Sequence, residues 1–115
     1  MADSIEVTGI INMTNTIPPS QDDQIPTEVS GAFVVLGDYD AGRKLAVKVQ
    51  VEIVHPIAGN FDQPPMPGPQ PSSWSVNFDA LPPTPEGRPA TLVANLYNAS
   101  GNFLVGSTTY YLEVT

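Results

Sequence analysis

Apolar and polar residues alternate with a period of two along most of this sequence, and no other feature limits the fold as strongly. Between Leu45 and Ile53 every second residue is Leu, Val or Ile, with Lys48, Gln50 and Glu52 between them. Successive side chains of a β-strand point to opposite faces, so this segment predicts a half-buried strand. No long segment has apolar residues at helical spacing without an interrupting glycine or proline. The sequence therefore predicts an all-β protein.

Five further segments predict strands in the same way. They are Ile5–Met13, Val29–Leu36, Trp74–Phe78, Leu92–Tyr97 and Thr108–Thr115. In the first segment Ile5, Val7, Ile11 and Met13 share one face, and Gly9 between them predicts a β-bulge. We expect this N-terminal strand to form a sheet edge at which a partner could add a strand. We also expect Trp74 to anchor the core, because it lies two and four positions before Val76 and Phe78 and therefore has the same parity, pointing to the same face of the strand.

The thirteen prolines lie almost entirely between these segments, as expected of a residue that cannot donate to a sheet ladder. Tight turns are predicted at Gly37–Arg43 and Asn98–Asn102, and a proline-rich loop at 56–71 that crosses between sheets. Strands with one apolar and one polar face need a second sheet to cover them. The prediction is one domain over residues 1–115, an antiparallel two-sheet β-sandwich of about seven strands.

Composition limits the partners. Twelve acidic and four basic residues give a formal net charge of −8, which disfavours nucleic acid and anionic membranes. No apolar run is long enough for membrane insertion, and the N-terminus lacks the basic and apolar regions of a signal peptide. The chain contains no cysteine, which excludes disulfides, thiolate metal sites and cysteine nucleophiles. We expect no cofactor.

Catalytic constellations are not apparent in the sequence. His55 is the single histidine, so a catalytic triad would have to use it as the base. It lies at the end of a predicted strand, on the same face as the apolar residues, and we therefore expect a packed or hydrogen-bonded structural residue. Asp38 and Asp40 begin a D-x-D-x-G pattern that can open a calcium loop, although hairpin turns use the same residues. We therefore expect no enzyme and no catalytic residue, with calcium at Asp38 and Asp40 as a secondary hypothesis.

Aromatic residues suggest a ligand-binding face. Tyr97 and Tyr111 have outward parity on segments that follow each other in the chain, so they could form an exposed pair for a ligand or a cross-strand contact. Other aromatics able to stack on a sugar are Phe61, Trp74 and Phe103. The partner is predicted to be a protein or a glycan.

Three stretches of the chain resemble a known class of module: EVSGAFV (Glu28–Val34), SWSVNFDALP (Ser73–Pro82) and the closing segment Thr91–Thr115. They are similar to the immunoglobulin-like and fibronectin type III-like modules of bacterial surface and adhesin proteins. The resemblance implies an immunoglobulin-like sandwich that serves as a non-catalytic structural or protein-interaction module in an extracellular or cell-surface assembly. A carbohydrate-binding module with exposed aromatics is the alternative. The chain departs from these modules at Asn98, where aspartate is frequent.

Overall fold

The computed structural model describes residues 3–41, 47–63, 66–67 and 72–115, which form two β-sheets and no helix. The strands are β1 (Ser4–Asn12), β2 (Asn15–Ile17), β3 (Thr27–Val29), β4 (Phe33–Asp40), β5 (Val47–His55), β6 (Gly59–Gln63), β7 (Met66–Pro67), β8 (Ser73–Phe78), β9 (Ala90–Asn98), β10 (Phe103–Gly106) and β11 (Tyr110–Val114). The all-β prediction is confirmed. The strands outnumber the expected seven because β2, β3, β7 and β10 have only two to four residues each, too few to show a period in sequence.

The two sheets have different strand orders. The first runs β2-β1-β4-β8-β7, and the second runs β3-β11-β9-β5-β6, with β10 also pairing with β9. Neighbours are antiparallel except for β3 and β11, which are parallel. The expectation of a wholly antiparallel arrangement is therefore wrong at this pair.

One hydrophobic cluster draws its residues from both sheets. Along β9 buried and half-buried residues alternate from Ala90 to Leu96, and β8 alternates in the same way. The largest fully buried side chains are Ile10, Val29, Val35, Val51, Ile53, Val76, Leu92, Leu96, Leu112 and Val114. Each contributes about 1.5–3 kcal/mol relative to an exposed position. Two sheets that enclose one core are compatible with the predicted β-sandwich.

A β-bulge divides β1, as Gly9 predicted. The register of β1 against β4 shifts between Val7 and Gly9. Before the bulge Val7 is buried, whereas after it Ile10 is buried and Ile11 turns to the outer face. The expectation that Ile11 and Met13 share the inner face is wrong, and Met13 is 76% exposed. The extra residue of a bulge reverses the parity of everything that follows it.

The first half of β1 is an edge within the described part of the chain, and the second half is not. β2 pairs with Ile10, Ile11 and Asn12, which covers the far side of β1 beyond the bulge. Ahead of the bulge, the backbone N–H of Val7 donates to the Tyr110 hydroxyl across the core at 3.3 Å. The predicted edge is thus shortened by β2, and one of its backbone donors is used by a side chain of the other sheet.

The segment predicted as one strand from Val29 to Leu36 forms two strands in different sheets. Gly31 has a φ of +68°, and this left-handed turn takes the chain from β3 across to β4. The Asn12 side chain holds the turn. Its Nδ2 donates to the Ser30 carbonyl at 2.8 Å, and its Oδ1 accepts from the Ser30 N–H at 3.1 Å.

The proline-rich segment 56–71 contains two strands, so the prediction of a single long loop there is wrong. β6 pairs with β5 over five consecutive residues, and β7 pairs with β8 in the opposite sheet. The chain crosses between sheets here, as expected. Residues 64–65 and 68–71 lie outside the described residues.

The predicted turn at Asn98–Asn102 is confirmed. The Asn98 Oδ1 accepts from the N–H groups of Ser100 and Asn102 at 3.0 and 2.9 Å, and Gly101 has a φ of +88°. The strand predicted beyond it, Thr108–Thr115, is divided differently. β10 follows the turn, and Ser107 bonds to both backbone groups of Ala94 before β11 begins at Tyr110.

Trp74 is a core residue, as predicted, and depends on a glycine. It is 3% exposed and lies opposite Gly37 on β4. A Cβ at position 37 would overlap the Trp74 ring and the Glu6 carbonyl. Gly37 was expected to begin a turn, but β4 continues to Asp40. Within the described residues the Trp74 Nε1 has no hydrogen-bond partner.

We predict that Gly37→Ala lowers the free energy of unfolding by about 3 kcal/mol, because neither the ring nor the backbone of the opposed strands has room to move. Gly9→Ala is the matched control. A Cβ there would lie 3.3 Å from the Thr16 methyl, which can shift, and no closer than 3.9 Å to any other neighbour. Urea denaturation of both variants measures the difference. Equal losses would show that Trp74 does not require the glycine.

Candidate functional site

The outer face of the second sheet brings together five side chains, which we call the aromatic–amide face. They are Lys48 and Gln50 of β5, Asn95 and Tyr97 of β9, and Phe103 of β10. Strand pairing arranges them in two rows. Lys48, Tyr97 and Phe103 form the first row, and Gln50 and Asn95 form the second together with Gly106. Adjacent strands are about 4.8 Å apart, and the rows are separated by about 7 Å.

Hydrogen bonds orient the amide part of this face. The Tyr97 hydroxyl donates to Gln50 Oε1 at 3.1 Å, and Asn95 Nδ2 donates to the same oxygen at 3.5 Å. The three groups belong to two different strands, so their contact depends on the register of β5 against β9. Because one oxygen accepts both bonds, the amide of Gln50 has a defined orientation.

The aromatic part of the face is an edge-to-face pair. The ring centroids of Tyr97 and Phe103 are 5.8 Å apart with an interplanar angle of 76°. Phe103 is nevertheless 59% exposed. A Cβ at Gly106 would lie 3.5 Å from Phe103 Cζ and 3.0 Å from Asn95 Oδ1, so the glycine leaves space for both side chains.

Tyr97 and Tyr111 do not pair, so this part of the predicted site is wrong. Tyr111 lies opposite Thr91, six positions before Tyr97 on β9, which separates the two tyrosines by about 20 Å along the strand. Tyr111 is half-buried between two buried neighbours and has the expected outward parity. Its backbone N–H donates to the Ser20 carbonyl oxygen at 2.9 Å.

His55 is a buried structural residue, as expected. Its Nδ1 accepts from the N–H groups of Ile57 and Ala58 at 3.1 and 3.0 Å. Its Nε2 lies 2.7 Å from the Pro82 carbonyl and donates to it. The ring thus shapes the turn between β5 and β6 and ties it to the segment that precedes β9. Both ring nitrogens are engaged with the backbone, which leaves neither for proton transfer.

Asp38 and Asp40 lie on the outer face of β4 and not in a loop. Both are exposed, and Asp38 lies opposite Glu6 of β1. An extended strand cannot wrap its carboxylates around one cation as a calcium loop does. Among the residues that the structure describes, no three acidic or histidine side chains are grouped closely enough to hold a metal ion. Gly42, which completes the D-x-D-x-G pattern, lies outside that part of the chain.

A small polar cleft lies on another part of the surface. The polar side chains that line it are those of Asp23, Gln24, Thr84, Arg88 and Glu113. Its lining mixes one cation with two acidic residues. None of the five residues of the aromatic–amide face lines this cleft.

No protein-family model matches the chain, and no curated protein matches it significantly. Within the described residues no helix is long and apolar enough to cross a membrane.

Sequence reasoning missed the partnership of Gln50, Asn95 and Phe103 with Tyr97. Parity placed Gln50 and Asn95 on outer faces, and Phe103 was among the candidate aromatics. What joins them is the pairing of β9 with β5 on one side and β10 on the other. The signal that could have drawn attention to the site is an uncharged amide at the centre of the outer face of each of two long strands, Gln50 on β5 and Asn95 on β9.

We predict that His55→Leu lowers the free energy of unfolding by about 2 kcal/mol, because the buried ring gives up three partly buried hydrogen bonds to two N–H groups and one carbonyl. His55→Asn should lose less, since its Oδ1 can replace the Nδ1 acceptor. Thermal or urea unfolding of the pair tests this assignment. A leucine variant as stable as the asparagine variant would contradict it.

A double-mutant cycle on Tyr97 and Phe103 measures the aromatic contact. Alanine at either position should remove the same edge-to-face interaction, which gives a coupling of about 0.5–1.5 kcal/mol. The control cycle replaces Tyr97 and Tyr111, which lie too far apart to couple. A coupling between the tyrosines equal to that of Tyr97 with Phe103 would refute the described register.

Proposed function

We propose that this chain is a non-catalytic interaction module of the immunoglobulin-like class, working in an extracellular or cell-surface assembly. The order of strands in the two sheets is the observation that carries the proposal. In immunoglobulin domains strands A, B, E and D form one sheet and strands C, F and G the other. Lettered in chain order, β1, β4, β5, β7, β8, β9 and β11 become A to G, which gives the sheet orders A-B-E-D and C-F-G.

Further features of the strand arrangement support the same class. β6 extends the second sheet beyond β5, as an additional strand does beyond C in variable-type domains. Two features differ from antibody domains. The chain has no cysteines, and Trp74 lies on β8, the counterpart of strand E, where antibody domains carry their tryptophan on strand C. The extracellular setting rests on the resemblance to surface-protein modules.

Binding through a sheet face fits the chemistry of the chain better than catalysis does. The single histidine is committed to the backbone through both ring nitrogens. The aromatic–amide face, in contrast, presents a 59% exposed phenylalanine beside oriented amides on rigid strands. An exposed aromatic next to fixed polar groups is a typical composition for a recognition surface.

A carbohydrate-binding module is the second candidate. The specific observation in its favour is that Phe103 and Tyr97 lie within one face with Gln50 and Asn95, because aromatic rings and amides are complementary to sugar rings and hydroxyls. The tyrosine pair first expected to provide this surface is replaced by Tyr97 with Phe103.

We expect the purified chain to bind at least one member of a panel of immobilised extracellular proteins and glycans, measured by biolayer interferometry. Tyr97→Ser combined with Phe103→Ser should abolish that binding. Ile57→Ser is the matched control, since Ile57 is 69% exposed but lies in the turn after β5. Full binding by the double variant, or no saturable binding across the panel, would contradict the proposal.

A further inference from the structure

We infer that the aromatic–amide face binds a neutral glycan, with Phe103 stacking on a sugar ring and the Gln50–Asn95 amides bonding its hydroxyls. This inference rests on the proposed interaction function and names its ligand. The two rows of side chains cover three adjacent strands, β5, β9 and β10, and form a continuous patch. A pyranose presents an apolar C–H face together with a rim of hydroxyls. The Phe103 ring is complementary to the C–H face, and the amides of Gln50 and Asn95 are complementary to the hydroxyls.

Phe103 provides the stacking surface. The Tyr97 ring contacts it edge-to-face at a centroid distance of 5.8 Å, and a Cβ at Gly106, three residues further along β10, would lie 3.5 Å from Phe103 Cζ. The phenyl ring is therefore held from the side of the sheet, while more than half of its surface faces solvent. A ring that is already positioned loses little conformational entropy on binding.

The amides provide the hydrogen bonds. Gln50 Oε1 accepts from the Tyr97 hydroxyl and from Asn95 Nδ2, which fixes the direction of both amides without help from a ligand. Each amide carries donors and an acceptor, and each sugar hydroxyl can serve as either. Neither a hydrophobic peptide segment nor a simple anion would use this combination fully.

Charge selects among glycans. The two rows contain one formal charge, that of Lys48, whereas the whole chain carries −8. The overall field repels uronic, sialylated or sulfated sugars, and a neutral sugar experiences no such penalty. We therefore assign the face to neutral hexopyranose units.

The small size of the apolar part of the face also favours a glycan over a protein as its ligand. Phe103 is the one large exposed hydrophobic side chain among the five residues of the face. A stable protein interface buries about 800 Å² on each partner and contains several anchors near its centre. One exposed ring flanked by amides suits one or two sugar units.

The test is isothermal titration of the intact chain with neutral oligosaccharides, namely β-glucan, mannan, galactan and chitin fragments. We expect saturable binding to at least one of them, with Phe103→Ala weakening it at least about tenfold. Phe103→Tyr should retain it, because a tyrosine ring can stack in the same way, and Ile57→Ala should leave it unchanged. Binding should persist between low and high salt, since the ligand has no charge to be screened.

Failure to bind any neutral fragment at millimolar concentration overturns the assignment, as does binding confined to anionic glycans or binding that Phe103→Ala leaves intact. These results are distinguishable from failure of the interaction function itself. If an immobilised protein binds the chain and the Tyr97→Ser, Phe103→Ser variant abolishes that binding, the module is an interaction domain whose ligand is not a neutral glycan.

Discussion

Each long strand that the structure describes buries one side more deeply than the other, and the core shared by the two sheets depends on that division. The bulge in β1 shows how strict the requirement is. One extra residue between Val7 and Gly9 reverses the parity, and Ile10 takes over the inner position from there. The Val7 N–H then bonds the Tyr110 hydroxyl of the opposite sheet. Gly37 meets the same demand by leaving room for the Trp74 ring.

The sequence predicted strands where alternation was uninterrupted and failed where a local backbone feature changed direction. Val47–His55 formed a strand as expected because its apolar residues recur strictly at every second position. Gly31 broke the apolar run beginning at Val29, because a positive φ sends the chain to the other sheet. The five residues of β6 carry too short a pattern, between prolines and glycines, to be distinguished from a loop.

The candidate site was less predictable than the fold because it depends on register. Parity alone correctly gave outward positions to Tyr97 and Tyr111, but it contained no information about which strands would be neighbours at which residues. Pairing put Tyr97 beside Phe103 and Tyr111 beside Thr91, at opposite ends of β9. Consequently the structure brings together two aromatics and two amides on one face, where parity had suggested a pair of tyrosines. The Gln50–Tyr97 hydrogen bond of this face depends on the long-range pairing of β5 with β9.

The strand order of the second sheet brings Tyr97, Phe103, Gln50 and Asn95 together on one face of a two-sheet fold. Nuclear Overhauser spectroscopy of the isotope-labelled chain measures this arrangement. We expect cross-peaks between the Tyr97 and Phe103 rings, together with backbone contacts that define a parallel register of Thr27–Val29 against Leu112–Val114. Contacts between the Tyr97 and Tyr111 rings, or an antiparallel register of those two strands, would contradict it.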